Sequence, residues 1–238
     1  MMLVGGTCIS DCIALAKHAQ HIGLQAVSFT APFYFKPATI NELGACCKAI
    51  ADAVPGMPFY YYHIPHLTGV AMDMVEFLDC AGPMIPNLVG IKYTSSAIHE
   101  YQACLNYQSG KYDILFGLDE LLLPALAVGA RGAIGSTYSF AAPLHLKTKE
   151  AFERGDLEDA REHHAYMVKV IRVLLRYPPT PGQKAIMKML GCDLGPNRLP
   201  LATLDEKSYH RFHQELTELG FFEKLAEQSQ LIAVSSQV

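Results

Sequence analysis

The chain has 238 residues, 50% of them hydrophobic and 18% charged, with a formal net charge of −4. Soluble domains average about 25% charged side chains, so this chain is short of charge and rich in material to bury, the reverse of the balance that keeps a segment disordered. The mildly acidic balance excludes the basic surface of a nucleic-acid binder, and the length is close to the roughly 250 residues of a (β/α)8 barrel.

In chain order, the amino terminus carries no basic residue before Lys17 and meets Asp11 ahead of any sustained apolar run, so it lacks the pattern of a secretory signal. Residues 2–5 predict a first strand. Residues 8–22 place Cys12, Leu15, Ala16, Ala19 and Ile22 on one helical face, and Gly23 follows as a stop. A strand is predicted at 26–30. Thr39-x-x-Glu42 then forms a capping box opening a helix that ends before Pro55-Gly56. Further strands are predicted at 58–62, 88–92, 114–117 and 133–136, with a helix over 119–128 closed by Gly129. These strands are near-continuously apolar, as parallel strands covered on both faces are, and the alternation predicts an α/β fold with right-handed crossovers. After Tyr138 no strand pattern returns. Residues 143–176 and 205–226 read as helices rich in paired charges, separated by the loop Tyr177-Pro178-Pro179-Thr180-Pro181-Gly182. The expected organisation is a six-stranded barrel part over 1–142, a helical part over 143–226, and a frayed tail over 227–238.

The longest apolar run, 121–130, is interrupted by Pro124, and a membrane helix needs about 18 apolar residues. No membrane association is expected. The seven cysteines are odd in number, Cys46 and Cys47 are adjacent, and no C-x-x-C pair occurs, which predicts small buried thiols in a reducing, cytoplasmic setting. His63-x-x-His66, beside a proline in an expected loop, and His210-x-x-His213, on a charged helix face, have ligand-like spacing. Neither has the companion residues of a metal centre, so no metal is expected.

In a barrel of parallel strands, chemistry sits at the strands' carboxyl ends. The predicted third strand ends at Tyr62 and the fourth at Lys92. A lysine directly after Leu88-Val89-Gly90-Ile91 is anomalous, because burying an ammonium is costly. Burial also favours the neutral amine, which is what a nucleophile needs. The same position suits a lysine that snorkels or pairs with a carboxylate at a strand end. Tyr62 reads either as a proton relay or as one more core aromatic beside Phe59, Tyr60 and Tyr61. Asp119-Glu120 reads equally as the acidic first turn of a helix, and Gly135-Ser136-Thr137-Tyr138 as an ordinary turn.

Together these pieces resemble a family. Tyr-x-Ile-Pro at 62–65, Leu-Thr-Gly-Val at 67–70, Gly-Ile-Lys at 90–92, Gly-x-Asp-Glu at 117–120 and Gly-Ser-Thr-Tyr at 135–138 resemble the pyruvate-dependent class I aldolases of the dihydrodipicolinate synthase and N-acetylneuraminate lyase family. Residues 59–65, Asp119-Glu120 and 135–138 are similar to the N-acetylneuraminate lyase branch of animals. Gln183-Lys184-Ala185-Ile186-Met187 and Gly195-Pro196-x-Arg198-Leu199-Pro200 agree.

The resemblance implies a TIM (β/α)8-type barrel and retro-aldol cleavage of N-acetylneuraminate to N-acetylmannosamine and pyruvate. It implies that Lys92 forms the Schiff base, that Tyr62 moves the proton of the C4 hydroxyl, and that Thr94, Gly117, Asp119, Glu120 and Ser136 bind the sugar. It further implies that no cofactor is needed, that the chain assembles as a homotetramer, and that Tyr34 lies near the site and the subunit contact. The predicted strands correspond to the family's third through eighth. The first two βα units, and the Gly-Ser-Thr-Gly-Glu-like carboxylate-binding segment after the second strand, are therefore expected to be missing. Two alternatives stand beside this reading. One is a catalytically silent truncated form acting through open sheet edges. The other is a sister aldolase of another 2-keto acid.

Overall fold

The computed structural model describes the backbone of residues 1–235 and the side chains of residues 1–229, and residues 236–238 lie outside the described residues. The chain divides into two compact units, one of Met1–Leu118 with Ala127–Ile134, the other of Asp119–Leu126 with Gly135–Val238.

The first unit is built on β1 (Met2–Leu3), β2 (Val27–Thr30), β3 (Phe59–His63), β4 (Leu88–Tyr93) and β5 (Asp113–Phe116). They form a five-stranded, all-parallel sheet in sequential order. The crossovers carry α1 (Ile9–His21), α2 (Ile40–Ala51), the short α3 (Pro65–Thr68), α4 (Met74–Met84) and α5 (Ile98–Asn106). Local chemistry sets where these helices begin. Thr39 accepts from the Glu42 N–H at 3.2 Å, and the Glu42 carboxylate reaches back to the Ala38 N–H at 2.6 Å, one residue earlier than an ideal capping box. Asp73 caps α4 through the N–H groups of Val75 and Glu76.

Helix α1 packs on α2, α2 on α4, and α4 on α5. Sheet residues Phe29, Tyr61, Ile91, Tyr93, Ile114 and Phe116, all on one face, are fully buried. The residues that alternate with them, Thr30, Tyr60, Tyr62, Lys92 and Leu115, are half-buried. The strands are therefore not uniformly covered as their apolar runs predict: β3 and β4 alternate a fully buried aromatic or aliphatic face with a more open, polar one.

Other expectations are corrected. The sixth strand predicted at 133–136 is a single parallel bridge from Phe116 to Ala133, and Ser136 and Thr137 belong to the second unit, outside any strand. His63 is the last residue of β3 and is buried, not in a loop. Cys8 and Cys192 are exposed, whereas Cys12, Cys47 and Cys104 are buried thiols as expected.

The second unit begins with a single 3₁₀ turn over Asp119–Leu121 and α6 (Leu122–Ala127). It continues through α7 (Tyr138–Glu153), α8 (Leu157–Leu174), α9 (Pro179–Met189), α10 (Glu206–Glu218) and α11 (Phe221–Ser235). Phe140, Met167, Leu174, Ile186, Phe212 and Phe221 meet in its core. The helix expected from 143 starts five residues earlier, at Tyr138, and is kinked at Ala141 just before Pro143. The run 143–176 is two helices, parted where Gly155 turns with φ +80°. The predicted loop 177–182 gives way at Pro179 to α9, because prolines are tolerated in a helix's first turn. The tail expected to fray from 227 is helical through Ser235. Among the described residues no helix is long and apolar enough to cross a membrane.

Candidate active site

Parallel pairing sets Tyr62 of β3 directly beside Lys92 of β4. Both point to the more open face of the sheet, near the carboxyl ends of their strands, and the Lys92 Nζ lies 4.0 Å from the centre of the Tyr62 ring. Lys92 thus has an aromatic wall rather than a carboxylate as its described neighbour, which removes the salt-bridge reading. An ammonium over an aromatic face is held by the ring's quadrupole. An amine so placed is near a phenol that can carry a proton.

Thr94, one residue past β4, is 4% exposed. Its backbone N–H bonds the His63 carbonyl, and the Gly117 N–H bonds the Tyr93 carbonyl, each at 2.8 Å. These bonds extend the ladder past the strands and bring Thr94 against Gly117. A Cβ on Gly117 would lie 2.0 Å from the Thr94 Oγ1, so only glycine fits beside that hydroxyl. Thr94 Oγ1 is buried without a hydrogen-bond partner among the described residues.

Behind this layer, on the helix-covered face, the His63 ring lies 5.1 Å from that of Tyr93. The Tyr93 hydroxyl donates its hydrogen to the Glu100 carboxylate and lies 3.1 Å from the Ala97 carbonyl oxygen. Glu100 also accepts the Met74 N–H at the start of α4. Burial pushes the His63 imidazole down to about 4, so it packs as a neutral ring at the ends of β3 and β4.

In the second unit, Asp119 is 6% exposed. Its Oδ2 accepts from the Thr137 backbone N–H at 2.8 Å and from the Thr137 hydroxyl at 2.6 Å. The Thr137 Oγ1 lies 2.9 Å from His145 Nε2. Glu120 is half-buried, and its backbone hydrogen-bonds the His164 ring. Ser136 is exposed and accepts from Gln183 Nε2 at 2.7 Å. Sequence reasoning singled out Asp119, Glu120 and Ser136 but not Thr137 or His145. Thr137 carried a signal in the Gly-Ser-Thr run, whereas nothing local ties His145 to a carboxylate 26 positions away.

The candidates therefore fall into the groups Tyr62–Lys92 and Thr94–Gly117 in the first unit, and Asp119–Thr137 and Ser136–Gln183 in the second. Tyr34 stands 76% exposed, edge-on to Phe35. Among the described residues no group of three or more His, Cys, Asp or Glu side chains is placed to hold a metal ion.

A parallel sheet in sequential order, with a lysine and a tyrosine in register near the carboxyl ends of adjacent strands, defines an α/β enzyme of the barrel type. The chain belongs to the dihydrodipicolinate synthetase family, whose model matches residues 1–219. It is 37% identical over 209 residues to the N-acetylneuraminate lyase of Xenopus tropicalis, spanning 87% of this chain and 68% of that protein. To the N-acetylneuraminate lyase of Rattus norvegicus it is 36% identical over 222 residues, spanning 92% of this chain and 69% of that one. Among solved structures it superposes on Proteus mirabilis N-acetylneuraminate lyase with a TM-score of 0.89 at 37% identity, over 92% of this chain and 75% of that chain. On the dihydrodipicolinate synthase of Cyanidioschyzon merolae the TM-score is 0.81 at 28% identity, over 92% and 73%.

Proposed function

We propose that the chain is an N-acetylneuraminate lyase, cleaving the open-chain sugar acid to N-acetylmannosamine and pyruvate through an imine on Lys92. The observation that carries this reading is the Tyr62–Lys92 pair, in register and with the amine 4.0 Å from the ring centre. The similarity to proteins named N-acetylneuraminate lyase supports it.

In the proposed course the neutral Lys92 amine adds to the C2 ketone and water leaves, giving an iminium. Tyr62 relays the proton of the C4 hydroxyl as the C3–C4 bond breaks, gaining it as its own phenolic proton passes to solvent. The bonding pair moves into the iminium to give an enamine, and C4 leaves as the aldehyde of N-acetylmannosamine. Protonation at C3 and hydrolysis release pyruvate and restore the amine. The iminium is itself the electron sink, so these steps ask for no metal or organic cofactor. Thr94, Gly117, Asp119, Glu120 and Ser136 supply the acceptors, donors and close backbone that a hydroxyl-rich sugar tail requires.

We further propose a cytoplasmic homotetramer, with Tyr34 near the site and the subunit contact. The exposed apolar side chains of Phe33, Tyr34, Phe35 and Leu67 support an assembly face in the first unit.

Substrate turnover tests the reading. Incubation with N-acetylneuraminate is expected to release N-acetylmannosamine and pyruvate, with kcat/KM above that for keto-deoxy sugar acids, and Lys92→Ala is expected to abolish release. Faster cleavage of another 2-keto acid would transfer the assignment to a sister aldolase, and no cleavage of any would overturn it.

A further inference from the structure

We propose that Thr137 and His145 are positioning residues that aim the Asp119 carboxylate at the sugar tail, through a one-way hydrogen-bond chain from His145 Nε2–H to the Thr137 hydroxyl to Asp119 Oδ2. The role in sugar binding rests on the lyase reading above.

The direction of the chain follows from counting protons. The Thr137 hydroxyl has one hydrogen and lies 2.6 Å from Asp119 Oδ2 and 2.9 Å from His145 Nε2. A carboxylate oxygen that already takes the Thr137 backbone N–H is an acceptor, so the hydroxyl donates to it and must accept from the imidazole. Nε2 therefore carries the ring hydrogen. Nδ1 is left bare, which agrees with its being buried and without a hydrogen-bond partner among the described residues. Burial, aided by the neighbouring His164 ring, pushes His145 down to about 4, so the ring is neutral and its tautomer is set by this single contact.

Three further features show that the arrangement is built for Asp119 rather than for the helix it sits on. Thr137 occupies the N-cap of α7, yet its side chain makes no capping bond there, which is the usual employment of a threonine at that position. A Cβ on Gly135 would lie 1.4 Å from Asp119 Oδ1, so the carboxylate rests directly on that stretch of backbone. The Tyr138 ring closes edge-on over His145 at 4.6 Å and holds the imidazole in plane for its donation. The result is a buried carboxylate of fixed orientation, an acceptor suited to the hydroxyl donors of a polyol.

Two measurements decide the matter. Nitrogen-15 spectra of histidine-labelled protein, with the His145 resonances assigned by their loss in His145→Phe, are expected to show the neutral Nε2–H tautomer at pH 7. Thr137→Val is expected to perturb that signal and Thr137→Ser to preserve it. An Nδ1–H tautomer or an imidazolium at pH 7 would overturn the chain. In turnover, Thr137→Val is expected to raise KM for N-acetylneuraminate about tenfold, the usual consequence of removing one partner of a buried charged hydrogen bond. It should leave kcat nearly unchanged, with Thr137→Ser returning KM towards the parent value. A fall in kcat at constant KM, or no recovery with serine, would overturn the positioning role. If the parent protein forms no pyruvate imine at Lys92, the lyase reading falls instead, and the histidine spectrum then decides the chain alone.

Discussion

At the scale of single residues, the proposed chemistry concentrates on a lysine and a tyrosine whose meaning depends on pairing. Lys92 stood out in the sequence because an ammonium ending an apolar run needs a reason, and Tyr62 was ambiguous among four successive aromatic residues at 59–62. Register fixes which face Tyr62 takes. It faces away from the helix-covered side that buries Tyr61 and His63 and stands beside Lys92. Tyr62→Phe, which keeps the ring and loses the hydroxyl, is expected to lower kcat by about 10²- to 10⁴-fold, the contribution typical of a positioned proton carrier, while pyruvate still forms its imine on Lys92. Rapid-quench turnover beside the imine trap separates the two. Thr137 and His145 were not legible in the same way, since their relation to Asp119 exists only once α7 has folded back on the turn at 119.

His63 gives a prediction of a different kind. Its folded value of about 4 lies below the ordinary 6.5 because burial disfavours the cation. Between these values the unfolded chain binds a proton that the native chain refuses, so stability is complete above about pH 6.5 and is lost as pH falls towards 4. The slope for this residue is about 1.4 kcal/mol per pH unit. His63→Phe is expected to flatten the fall of the urea midpoint across that window. The slope that remains belongs to His145, held near 4 in the same way, and to His164, whose value is also lowered.

At the scale of elements, what was readable from sequence was readable because the cause is local. The Thr39–Glu42 signal opens α2 where expected, and Gly23 follows α1 with φ +77°. Thr39→Ala removes the bond to the Glu42 N–H and is expected to cost about 1 kcal/mol, measured as a lowered urea midpoint with turnover unchanged at low denaturant. Elements whose ends depend on neighbours were read less well. The prolines of 178–181 suggest a loop on composition, yet two of them fit the opening turn of α9. The strand predicted at 133–136 is apolar enough to pair, but only Ala133 does so before the chain turns to place Gly135 against Asp119. Alternation in β3 was hidden because tyrosine serves both faces, buried at Tyr61 and half-open at Tyr60 and Tyr62.

At the scale of the whole molecule, the strand–helix alternation was enough to predict a parallel α/β fold with right-handed crossovers, while the barrel was implied by the family resemblance. The division into units was not legible, because residues 119–126 join the helices from 135 onward instead of the strands that flank them in sequence. The chain belongs to the dihydrodipicolinate synthetase family and spans 63–69% of the length of the curated lyases cited here and of their near relatives. If the proposed assembly forms, sedimentation equilibrium is expected to return four chain masses, and charged substitutions at Phe33 and Phe35 to shift it towards the monomer. The central claim is that Lys92 is a nucleophile for a 2-keto acid. It is tested most directly by incubating the protein with pyruvate and borohydride and mapping the modified peptide by mass. The account predicts one reduced pyruvyl adduct, on Lys92 and absent from Lys92→Ala; no adduct, or one on another lysine, would contradict it.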